Sequence, residues 1–170
     1  MSKFEQLCSA YKKAQTEFKE FRDNSRDFAV NLWDRMIQYF EIPPSQLSLY
    51  KVNEDDEYET VAPPMFNALT LRSDAYWQVG FGITLFETDK NEFPQETIII
   101  DLLLKWENKD LYKIKLSDHD KEFQIDRNNP DDFKNFFDYI YKEIETDYKT
   151  GLQTFLDQNK TIRRIGFKPV

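Results

Sequence analysis

The chain has 170 residues, with 31 acidic against 23 basic side chains, a net charge of −8, fifteen Phe, nine Tyr, three Trp and a single cysteine. So many aromatic side chains exclude a disordered tail. The negative charge excludes general affinity for a nucleic-acid backbone, which rests on cationic neutralisation of phosphates. One cysteine excludes an intramolecular disulfide, and apolar runs of only three or four residues exclude a membrane-spanning helix, which needs about twenty.

The length fits one domain over 1–170. Its start, Met1-Ser2-Lys3-Phe4-Glu5-Gln6, lacks the basic and apolar regions of a secretory signal, so a cytoplasmic location is expected. Ser2 and Glu5 have the spacing of a capping box. From there Phe4, Leu7, Tyr11, Ala14, Phe18, Phe21, Ser25, Phe28 and Leu32 recur at alternating steps of three and four, which predicts a helical segment over 2–41. A continuous helix of that length is about 55 Å at 1.5 Å per residue, longer than a compact domain of this size is wide. The expectation is therefore a bend or break at Asp23-Asn24-Ser25. The sharper alternative is a projecting arm through which the chain pairs with a partner or with itself. Cys8 is expected on the apolar side, as a buried thiol.

Pro43-Pro44 closes the helical region. A sheet is expected over 46–126: a strand at 47–52, an acidic turn from Glu54 to Glu59, a strand around 68–72, then a meander. In the meander Ala75, Trp77, Val79, Phe81, Ile83 and Leu85 alternate onto one face, with Tyr76, Gln78, Gly80, Gly82 and Thr84 on the other. After a polar loop at 88–95, Ile98, Ile100, Leu102, Leu104 and Trp106 point inward from a strand at 97–106. Further strands around Tyr112–Leu116 and Phe123–Ile125 follow short turns, which force antiparallel neighbours. Asn129-Pro130-Asp131-Asp132 starts a helical segment over 130–158, with an interruption expected at Gly151. The fold class is α+β: an antiparallel meander of about five to seven strands, flanked by the long N-terminal helix or helix pair and a C-terminal helical segment on one face.

The last stretch, 159–170, is basic and carries no acid, and its removal leaves 19 basic against 31 acidic residues. Arg163 and Arg164 are candidate partner contacts, although folding back as an edge strand is favoured.

Residues able to carry chemistry are few. His119, the only histidine, sits in Ser117-Asp118-His119-Asp120 and reads as a solvated turn. Asp101 with Glu107-Asn108-Lys109 has the acid and Glu-x-Lys spacing of a magnesium nuclease, but the triplet falls at a turn and similar triplets recur by chance. The expected use of Asp101 is a solvent-facing ion pair with Lys113 or Lys115. Gly80 and Gly82 suggest bending, or close approach of another segment. No catalytic residue, cofactor or metal ligand is assigned. The reading is a non-enzymatic acidic interaction module (an adaptor, chaperone or inhibitor) that binds a protein, a basic one suiting its charge. Its sticky surface is expected on the open sheet face, with Tyr76, Phe86, Ile99 and Leu103. Self-association through the N-terminal helix is also considered. The alternative is a small-molecule-binding, lipid-binding or hydrolytic domain with an apolar cavity between sheet and C-terminal helix.

Overall fold

A computed structural model describes residues 2–88, 91–156 and 167–169. Its first element, α1 (Lys3–Phe40), is one uninterrupted helix of 38 residues, about 57 Å long. Ser2 accepts from the Glu5 backbone while Glu5 reaches back to Ser2, completing the capping box. At the other end Glu41 takes the left-handed conformation, φ 53°, and its N–H bonds the Ile37 carbonyl. The break expected at Asp23-Asn24-Ser25 is absent. The Ser25 hydroxyl donates back to the Phe21 carbonyl within the helix, so this residue continues the helix rather than ending it.

Seven antiparallel strands follow: β1 (Leu47–Val52), β2 (Tyr58–Val61), β3 (Thr70–Leu71), β4 (Trp77–Thr88), β5 (Asn91–Trp106), β6 (Leu111–Leu116) and β7 (Phe123–Asp126). Their order is β2-β1-β4-β5-β6-β7, with β3 extending the β1 side of β4. The meander from β4 to β7 thus forms as expected. Strand β2 was not foreseen, and β5 begins inside what reads in sequence as a loop. Asn53 explains the first: its side chain accepts from the Asp55 and Glu57 backbones and folds the acidic run into a hairpin turn. The final strand, β8 (Phe167–Pro169), pairs antiparallel with β5 opposite Ile98–Ile100.

Helix α2 (Pro130–Leu156) runs unbroken through Gly151, contrary to the interruption expected there. Asn129 accepts from the Asp131 backbone just before it, and Asp131 and Asp132 fill its first turn. The core lies between the sheet and both helices. Phe28, Leu32 and Met36 from α1 and Phe133, Phe136, Phe137 and Ile140 from α2 meet Val79, Phe81, Ile100, Leu102, Leu104, Tyr112 and Ile114. Only the second half of α1 takes part. Its buried residues begin at Ser25, and the first half stands off the body.

The other side of the sheet is not open. β2 and β5 are separated by three strand spacings, roughly 14 Å on a flat sheet. Yet Tyr58 of β2 donates its hydroxyl to Asp101 of β5 at 2.9 Å, so the sheet curls and this face is concave. Tyr50 lies across Gly80 and Gly82, leaving no room for a side chain at either. A Cβ at Gly80 would stand 2.8 Å from Tyr50 Cβ, and one at Gly82 would stand 2.5 Å from the Tyr50 ring. Close approach, rather than bending alone, is what the two glycines serve.

Candidate functional site

Three features outside the main core hold side chains that could act on another molecule. The first is the free half of α1. Phe4, Leu7, Tyr11 and Phe18 are 74, 69, 68 and 51% exposed, and they stand in one row at helical spacing. Cys8 beside them is exposed, so the buried thiol expected there is corrected: every residue from 2 to 20 is exposed. The row runs directly into the buried stripe. Phe18 touches Phe21, whose ring lies 5.9 Å from both Trp77 and Trp106, and from Ser25 onward the same stripe is core. Lys12 and Lys19 flank the row about a quarter turn or more away, and Lys13 lies toward the back of the helix.

The second is the concave face. Ile99 is fully buried and Leu103 is 4% exposed, so neither forms the open patch expected of them. The sheet's curl, with Tyr50 and Tyr58 folded across it, is the cause. Tyr76 and Phe86 are half-buried. Tyr76 lies beneath the ammonium groups of Lys105 and Lys115, 5.2 and 5.6 Å from its centroid, and its hydroxyl bonds Glu122. Burial and that carboxylate push the Tyr76 phenol up to about 12, and the same hydrogen bond holds Glu122 below the usual carboxylate range. Lys113 pairs with Glu107 and Glu122 at 3.7 and 3.4 Å.

Asp101 therefore has neither of the lysine partners expected for it, and it is 3% exposed rather than solvent-facing. Gln78 Nε2 donates to both of its oxygens at 3.0 Å, and Tyr58 donates to one. Gln78 is held in turn by Arg72, 3.1 Å from its amide oxygen. Burial pushes the Asp101 carboxyl up, while the hydrogen bonds from Gln78, Ser117 and Tyr58 pull it back. A buried carboxyl with a displaced titration is a familiar catalytic device. Here its oxygens are occupied by the protein's own donors, and the group braces three strands, β2, β4 and β5. Glu107-Asn108-Lys109 lies in the β5–β6 turn, and Glu107 is engaged with Lys113. Among the described residues no cluster of acids, His and Cys is placed to hold a metal ion. His119 is half-buried, not solvated: its Nδ1 meets the Tyr139 hydroxyl of α2, which also carries Lys121 4.4 Å above its ring.

The third is an apolar groove of about 510 Å³ between the end of α1, strands β4 and β5 and helix α2. Phe40, Ile42, Ile83, Leu85, Ile98 and Ile144 line it, with Tyr148 and Lys149 at its edge. The Tyr148 hydroxyl donates to Glu96, and Lys149 pairs with Glu145 at 2.9 Å.

Arg163 and Arg164 lie outside the described residues. No helix among the described residues is long and apolar enough to cross a membrane. The exposed arm is legible in the heptad spacing, where it stands as the alternative to the break that compactness favours. The concave network was not, because it joins residues from 58 to 117 through the curl of the sheet. Comparison of the chain with protein-family models, with curated proteins and with solved structures finds no match.

Proposed function

We propose that the protein is a non-enzymatic interaction module that binds another polypeptide through the free half of α1. The observation that carries this reading is the exposed row Phe4, Leu7, Tyr11 and Phe18 on a helix whose continuation is anchored in the core. An isolated helix is marginal in water, and an apolar face held off the body gains nothing for the monomer. Such a row is what an amphipathic helix offers to an apolar groove or to another helix. The arm itself is slightly basic, with Lys3, Lys12, Lys13, Lys19 and Arg22 against Glu5, Glu17 and Glu20. The acidity of the chain therefore resides in the body, and a basic partner would approach there rather than at the arm.

The test compares the wild-type chain with Leu7→Glu/Tyr11→Glu. Light scattering and cross-linking mass spectrometry should find polypeptide contacts on the arm that vanish in the variant while its melting temperature is kept. Contacts that persist in the variant, or an arm that never contacts another chain, overturn the reading.

The groove supports a second reading, as a site for an apolar small molecule or acyl chain, because about 510 Å³ lies within the range of ligand pockets. An environment-sensitive apolar dye should bind there and be lost in Ile98→Trp, which fills the groove. Equal dye binding by both proteins removes this alternative.

A further inference from the structure

We infer that the arm's partner is a second copy of this chain, the two arms lying antiparallel with Leu7 of each against Tyr11 of the other. The inference rests on the arm being the binding element and adds who binds it and in what geometry. Its first support is steric. Beyond Phe21 the apolar face of α1 is covered by its own sheet, since Phe21 meets Trp77 and Trp106 and Ser25, Phe28 and Leu32 are buried. Paired helices sit about 8–10 Å apart. Two parallel arms would drive both bodies into the gap between them, whereas antiparallel arms carry the bodies to opposite ends.

The second support is the side-chain pattern. Phe4, Leu7, Tyr11 and Ala14 form the seam of a heptad, and Lys3, Ala10 and Glu17 border it on one side with Cys8 on the other. In an antiparallel pair each border faces its own kind. Setting Leu7 against Tyr11 puts Phe4 against Ala14, large against small, at both ends of the seam. The same setting brings Lys3 of one arm to Glu17 of the other, twice, and Ala10 to Ala10, where close approach is needed. Sliding the pair by one heptad loses both ion pairs. Sliding it toward the bodies would set Phe4 opposite Phe21, whose apolar face the tryptophans already cover.

The third support is area. Three large apolar side chains, Phe4, Leu7 and Tyr11, each about 70% exposed, offer on the order of 800 Å² over two arms at roughly 200 Å² per large side chain. That is about two thirds of the lower bound of about 1,200 Å² for specific association, the bordering residues supplying the rest, so the pairing is a weak one. A reversible dimer with micromolar affinity is expected, symmetric and closed, because the same patch serves both partners.

Sedimentation velocity between about 1 and 100 μM on the reduced full chain tests the inference. A monomer–dimer equilibrium is expected, abolished in Leu7→Glu/Tyr11→Glu. Lys3→Glu and Glu17→Lys should each weaken it, and the double exchange should restore it. Cys8 faces Cys8 of the second copy in this geometry, so a short bis-maleimide should link the wild-type dimer through that residue. A strict monomer over the whole range overturns the inference. So does a dimer indifferent to the Leu7 and Tyr11 changes, or one that Cys8 fails to link. An arm that remains monomeric yet cross-links to a different protein would leave the interaction reading standing and remove only the self-pairing.

Discussion

Phe28 of α1 stacks face to face on Tyr112 of β6, ring centroids 3.8 Å and planes 4° apart, and the Tyr112 hydroxyl donates to the Asn24 carbonyl at 3.1 Å. One residue pair thus fixes the helix to the sheet by packing and by a hydrogen bond, at the point where α1 enters the body. Phe28→Ala should cost about 3–5 kcal/mol, whereas Tyr112→Phe, which keeps the stack and loses the donor, should cost about 1 kcal/mol. Urea unfolding of both variants checks the ratio. Equal losses would mean that the hydroxyl, not the stack, holds the helix.

Asp101 makes stability depend on pH in a definite direction. Its folded carboxyl is held above the usual value by burial, so the native chain keeps its proton after the unfolded chain has released it. Stability therefore falls as pH rises from the ordinary carboxylate value, about 4, through the raised folded value, and is level above it. Asp101→Asn carries no such proton. The urea midpoint of the wild type, measured relative to this variant, should drop as pH is raised from about 4 to about 7. Parallel curves would show that the carboxyl titrates normally.

Gly80 and Gly151 should respond oppositely to the same substitution. A Cβ at Gly80 meets Tyr50 Cβ at 2.8 Å and Ile99 Cγ2 at 3.0 Å, whereas nothing lies within 4 Å of one at Gly151. Gly80→Ala should destabilise by about 1–3 kcal/mol through overpacking. Gly151→Ala, in a helix with free space, should stabilise by about 0.5–1 kcal/mol. Thermal unfolding of the two variants gives both signs.

The two halves of α1 should differ in amide protection. Residues 25–36 include five that are buried in the body, so their amides should exchange only with global unfolding. Amides of residues 6–17 belong to a helix without tertiary support and should exchange faster by orders of magnitude in the dilute chain. Hydrogen exchange read by mass spectrometry checks this, and uniform protection along α1 would contradict it.

The helical span, the meander and the inward face of the sheet were legible because each rests on local periodicity. Val79, Phe81, Ile100, Leu102 and Leu104 all sit where alternation puts them. The errors arise where chain-distant parts meet. Ile99, Leu103 and Asp101 read as exposed because alternation says which side a residue faces, not whether that side is later closed. Tyr58 closes it from an edge strand hidden in an acidic run. For α1 the error was one of premise: compactness argued for a break, while every residue from Lys3 to Phe40 was helical in pattern. The groove beside Ile98 and Ile144 was expected only in kind, as a cavity between sheet and helix.

Having no hinge between its exposed row and its core stripe, α1 works as a lever with a fixed fulcrum. Its tip at Phe4 stands about 25 Å along the helix from Phe21, the first residue gripped by the tryptophans. Whatever docks at the tip is consequently held at a set distance and rotation relative to the sheet. Any pull applied there is delivered straight to the Phe28–Tyr112 contact instead of dissipating in a loop.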